Sequence, residues 1–113
     1  MKKVYIISPY RAVLDHHEPR SYAEHLAEKF ARNGSHFIKQ LGYFPISPIL
    51  AFKGIYDEYK ERSVIDQACA ALLLSCDAIY IVNTPFNQYS KGIKRELEIA
   101  LQNNIPIIKE DEA

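Results

Sequence analysis

Two hydrophobic periods alternate along the chain. Lys3 to Ser8 (KVYIIS) is a compact β-branched and aromatic run ended by Pro9, which predicts a buried strand. Residues 12–20 (AVLDHHEPR) are polar, carry Pro19 and predict a loop. From Ser21 to Leu41, Leu26, Phe30, Phe37, Ile38 and Leu41 recur at helical spacing, with Ser21 as N-cap and Gly42 as stop. Asn33-Gly34 leaves two readings of that stretch, one helix with a weak point or two shorter ones. Phe44 to Ser47 predicts a short strand, and residues 49–58 have no clear period. Between Tyr59 and Cys76, a stripe of Val64, Ile65, Ala68, Cys69, Leu72 and Leu73 predicts a second long helix. Asp77 ends it and leads into the strand Ala78 to Val82. After the polar loop from Asn83, a third helix carries the stripe Ile93, Leu97, Ala100 and Leu101; Asn103-Asn104 marks a turn before a last strand, Ile105 to Ile108.

Strands alternating with helices demand right-handed crossovers and a parallel sheet. The expected fold is α/β, a three-layer sandwich with a small parallel sheet of flavodoxin-like or Rossmann-like topology, one domain over residues 1–113. In such sheets ligands bind beyond the carboxyl ends of the strands. That rule directs attention to Ser8 to Arg11, Ser47 to Phe52 and Asn83 to Gly92.

Composition narrows the function classes. Fourteen basic residues balance fourteen acidic ones with no block of like charge, so no nucleic-acid partner is expected. Apolar residues are 48% of the chain, yet the longest run, Ala68 to Leu74, is far too short to span a membrane. The start shows no signal peptide, since its few apolar residues meet Pro9. Cys69 and Cys76 lie seven apart in a helical pattern, neither a zinc motif nor a redox pair, which suits reduced thiols in the cytoplasm. No His/Cys/Asp grouping has metal-ligand spacing, and no phosphate-loop, dinucleotide or nucleophile-elbow motif appears. Neither a metal nor a cofactor is expected.

The chemistry concentrates in YSKGIKRELEIA, residues 89–100. A helix start carries unpaired N–H groups and a positive dipole end, so Ser90 and Gly92 can form an anion site, or Ser90 can be a plain N-cap. Glu96 follows Ile93 by three and precedes Ala100 by four, which sets it on the border of the buried stripe. Glu98 falls on the solvated side. Glu96 is therefore the better candidate for a functional carboxylate, against the ordinary reading of a rim glutamate paired with a cation. Tyr10 and Arg11 follow the first strand, where a phenol can stack on a base and a guanidinium can hold phosphate, although both types are common at rims. Asp66, on the helix before the third strand, can orient a ligand or stand exposed.

Together VYIISPYRA, GYFPISPILAF, LLSCDAIYIV and YSKGIKRELEIA resemble, in order from Lys3 to Ile108, the nucleoside 2-deoxyribosyltransferase-like superfamily, and within it a branch of small bacterial and phage proteins. Its most specific element is Ser-x-Gly-x-x-x-Glu, here Ser90, Gly92 and Glu96. The resemblance implies N-glycosidic bond cleavage or transfer on a (deoxy)nucleoside or its 5′-monophosphate, with Glu96 as nucleophile. It implies Tyr10 near the sugar, Ser8 or Arg11 on phosphate, a preference for a phosphorylated substrate from Ser90, and a homodimer. One departure stands out. Ungapped alignment from Asp77 puts Cys69 where the family carries a helix aspartate, with Asp66 almost one turn earlier. If Asp66 does not serve, a non-catalytic nucleotide-binding module is the alternative.

Overall fold

The computed structural model describes residues 2–110. Strand β1 (Lys3–Ile7) lies at the centre of a parallel sheet, between β2 (Phe44–Ile46) and β3 (Ala78–Ile81). Tyr5 is in register with Ile46 on one side and Ile79 on the other. Because side chains alternate along a strand, β1 serves two cores. Val4 and Ile6 pack with Ile38, Ala78, Tyr80 and Val82 under the long helix α2 (Arg20–Gln40). Tyr5 and Ile7 pack with Leu73, Cys76, Ile79, Ile93 and Ala100 under α4 (Arg62–Leu74) and α5 (Lys91–Gln102). The result is a three-layer α/β sandwich of flavodoxin-like strand order.

The segment from Arg11 to His16 is a helix, α1, not the loop expected over residues 12–20. Val13 and Leu14 bury themselves against Ala23 and Ala27 of α2, and six residues are too few to show a period in sequence. Helix α2 starts at Arg20 after Pro19, so Ser21 lies inside the helix and is not its N-cap. Asn33-Gly34 does not interrupt it. The buried seam of α2 runs through Ala23, Ala27, Ala31 and Gly34, small residues that let the helix lie close to the sheet, and ends on the large side chain of Ile38. A Cβ on Gly34 would overlap the Cγ2 methyl of Val82 and approach that of Ile6 to 3.2 Å. Gly34→Ala is therefore expected to destabilise the protein by about 1–2 kcal/mol despite the better helix propensity of alanine, read as a lower urea midpoint. An unchanged or higher midpoint would show that the helix has room to move away.

Gly42 is the helix stop its sequence position suggested. Its φ is +89°, its amide donates to Lys39 O, and the Tyr43 amide donates to Ile38 O at 3.2 Å, the paired bonds of a Schellman motif. Within the stretch without a period, Pro48–Ala51 forms a one-turn helix, α3, capped by Ser47 Oγ accepting from the Leu50 amide. Helix α4 is shorter than the span Tyr59 to Cys76, and Val64 at its start is exposed, as is Leu101 on α5. Asp77 has the structural job expected of it: its carboxylate accepts from the Lys3 amide at 2.8 Å and its own amide donates to Lys3 O. Ile105 to Ile108 is not a full strand. It makes one parallel bridge, Ile79 to Ile107, because Pro106 has no N–H to extend the ladder. No helix among the described residues is long and apolar enough to cross a membrane.

Candidate functional site

The three strand ends singled out from sequence converge on one cavity of about 530 Å³. Ser8, Tyr10 and Arg11 reach it from the end of β1, Pro48 and Phe52 from beyond β2, and Ser90, Gly92 and Glu96 from α5. Asp66 lines it from α4. All seven residues proposed from sequence thus share one space, although they come from three separate segments.

Helix α5 positions the anionic half. Ser90 is its N-cap, buried, with Oγ accepting from the Ile93 amide at 3.2 Å. The first-turn amides of Lys91 and Gly92 precede the first intrahelical bond and have no partner within the helix. One turn further in, Glu96 is half-buried and its carboxylate accepts the hydroxyl proton of Tyr5. Its partner is a phenol at the heart of β1; among the described residues Glu96 makes no ion pair, which removes the rim-glutamate reading. Glu98 is exposed and, among the described residues, accepts from Gln102 on its own helix, as expected of a surface charge.

Burial dominates the electrostatics of this floor. Loss of water pushes the Glu96 carboxyl up to about 7, against the pull of the Tyr5 hydroxyl and the Arg62 and Arg95 guanidiniums. Burial first, and Glu96 second, push the Tyr5 phenol far above its usual range, so it stays a proton donor. Cys69 sits beside the pair and is raised to about 11 by burial and by Glu96, so its thiol is uncharged. Tyr10 is raised to about 12, mostly by burial and then by Glu24 and Glu58. Ser8 Oγ is buried with no partner among the described residues.

Above Glu96 runs a ladder of charge that the sequence did not announce. Arg62 pairs through Nη1 with Glu58 and through Nε with Asp66 at 3.2 Å; Arg95 pairs with the same Asp66 oxygen at 2.7 Å. Asp66 is thus neither free nor simply exposed. It is held by two guanidiniums on the cavity wall. Tyr5, Glu58, Arg62, Cys69 and Arg95 all line or support the site. Tyr5 had one available signal, a polar-tipped residue set between the aliphatic Val4 and Ile6 of the central strand. Arg62, Asp66 and Cys69 follow one another at spacings of four and three, which sets them along one face of α4.

A family model described as Domain of unknown function (DUF7768) matches residues 2–110. No curated protein matches the chain by sequence. Among solved structures, the chain is similar to a 2-deoxyribosyltransferase from the psychrotolerant bacterium Bacillus psychrosaccharolyticus. The TM-score is 0.63 at 15% identity, over 93% of this chain and 69% of that one. A likeness at that identity establishes a shared deoxyribosyltransferase-like fold.

Proposed function

The chain belongs to the DUF7768 family, and we propose that it cleaves or transfers the N-glycosidic bond of a (deoxy)nucleoside or its 5′-monophosphate through Glu96. The observation that carries this reading is the Glu96 carboxylate on the cavity floor, held by the Tyr5 hydroxyl one turn below an open helix start. A Glu96 oxygen attacks the anomeric carbon, the C1′–N bond breaks, and its electron pair leaves with the base, which takes a proton from water. The sugar is left as an ester on Glu96. Water, or a second base, then breaks the new C1′–O bond and restores the carboxylate. Tyr10 lies beside the sugar, Ser8, Arg11, Ser90 and Gly92 receive the 5′ end, and Asp66 orients the substrate from α4. The solved relative, described as a biocatalyst for nucleoside synthesis, supports the substrate class through its fold. In the proposed homodimer a second copy covers the exposed apolar side chains of Val64 and Leu74 on α4 and Leu101 on α5, and the proposed location is the cytoplasm.

The test is incubation of the protein with a panel of nucleosides and 5′-monophosphates, with free base followed by chromatography. Release of base from at least one member is expected. The pH dependence has a definite sign. Only the ionised carboxylate attacks, so kcat/KM should rise with pH and level off above about 7, falling about tenfold per unit below it. A profile flat between about pH 5 and 8 would exclude a carboxylate with this environment as the nucleophile.

A second reading has one observation in its favour. Beside Glu96, α4 presents the uncharged Cys69 thiol where the family resemblance places an aspartate. A protein that binds a nucleotide without chemistry would show calorimetric binding with no base released after prolonged incubation.

A further inference from the structure

The segment between α3 and α4 is a built turn. Asp57 Oδ1 accepts from the Tyr59 and Lys60 amides, both at 2.9 Å, and Glu61 Oε1 accepts from the Asp57 amide at 3.0 Å. The turn carries two side chains, Glu58 and Tyr59, to cations in and beside the cavity. The Tyr59 ring lies under the guanidinium of Arg11 at 4.3 Å and under that of Arg20 at 4.9 Å, and its hydroxyl donates to Asp15 at 3.0 Å. Glu58 is only 7% exposed, lines the cavity and pairs with Arg62 Nη1. Arg62 in turn reaches across to α5: its Nη2 lies 3.4 Å from where a Cβ on Gly92 would stand. Arg62 therefore joins the anion-attracting start of α5 to a carboxylate already in place.

We propose that Glu58 is a specificity-determining residue, an internal carboxylate that occupies Arg62 where the anion of a ligand would otherwise stand. A ligand carrying phosphate must share Arg62 with Glu58 or displace it. An uncharged nucleoside meets no such competition. The chemistry of both partners supports this. Arg62 spends two of its three nitrogens on Glu58 and Asp66, so its charge toward the cavity is largely compensated. Burial pushes the Glu58 carboxyl up while Arg62 draws it down, so the charge is held there by Arg62 and not by water. The nucleoside half of this inference rests on the function proposed above; the anion half does not, and it can be measured with inorganic phosphate alone.

The experiment is titration calorimetry of inorganic phosphate, a deoxynucleoside 5′-monophosphate and its parent nucleoside into wild type, Glu58→Gln and Glu58→Ala. A further variant combines Glu58→Gln with Arg62→Gln, and thermal unfolding of each checks that it is folded. Both single variants should bind phosphate and the monophosphate about tenfold more tightly, the scale of one unit charge removed from a partly desolvated site, with nucleoside affinity unchanged. The double variant should lose that gain. Equal or weaker anion binding in the single variants overturns the proposal. So does a gain that persists without Arg62, or the absence of anion binding in every variant. If the anion gain appears but no variant releases base, the glycosidase reading fails and the role of Glu58 stands.

Discussion

Glu96→Gln should abolish base release, by on the order of 10³-fold or more in kcat, because a neutral amide oxygen is a far weaker nucleophile than a carboxylate and cannot give the neutral sugar ester. The same variant should be more stable than wild type in alkaline solution. Glutamine keeps an oxygen to accept the Tyr5 hydroxyl but carries no charge to desolvate. The sign follows from proton binding. The native Glu96 carboxyl holds its proton up to about 7, whereas the unfolded chain releases it near 4.5, so the native state binds more protons in that window. Its contribution to stability is greatest below about 4.5, declines as pH rises to about 7, and is flat above. At about pH 8, Glu96→Gln should gain ~1–3 kcal/mol, seen as a higher thermal midpoint, and the gain should vanish near pH 4.5. Retained turnover would remove Glu96 from the chemistry; a variant less stable at pH 8 would mean the carboxylate is better solvated than its surroundings indicate.

Arg62→Ala should have the largest effect on stability among the charged residues of the site. It strands Glu58, whose side chain is 8% exposed, and takes one of two partners from Asp66. Uncompensated buried carboxylates are costly, and the partial exposure of Arg62 itself, 32%, tempers the loss to ~2–3 kcal/mol. The urea midpoint at neutral pH measures it. Arg62→Ala combined with Glu58→Gln should recover part of the loss, since the stranded charge is then gone. If the double variant is no better than the single one, the pair is not the source of the effect.

Strands β1, β2 and β3, their parallel connection and the place of the cavity were legible in the sequence because they depend on period and order, whereas the fourth strand expected at Ile105 to Ile108 is a single bridge. KVYIIS and AIYIV are strands whatever surrounds them, and parallel connection then dictates where their ends meet. Glu96 was legible from its phase on α5, three residues from Ile93 and four from Ala100. What stayed hidden depends on distance through space. Helix α1 is too short to announce a period, and its stability comes from packing Val13 and Leu14 against the alanines of α2. Gly34 looks like a breaker in sequence and acts as a contact point, because only the position of Val82 distinguishes the two. Tyr10 was singled out by its place after the first strand, yet the phenol bonded to Glu96 is Tyr5, ninety-one residues away from it in sequence. The Arg62 ladder likewise joins α4 to Arg95 on α5, a pairing that spacing within one helix does not reveal.

Trapping the sugar on Glu96 is the most direct measurement. Wild-type protein mixed with a substrate identified in the nucleoside and nucleotide panel is quenched in acid within the first turnover, digested and analysed by mass spectrometry. The peptide containing Glu96 should carry the mass of the sugar, and the adduct should be absent from Glu96→Gln. Base released at full rate with no adduct on that peptide, or an adduct on another residue, would contradict nucleophilic attack by Glu96.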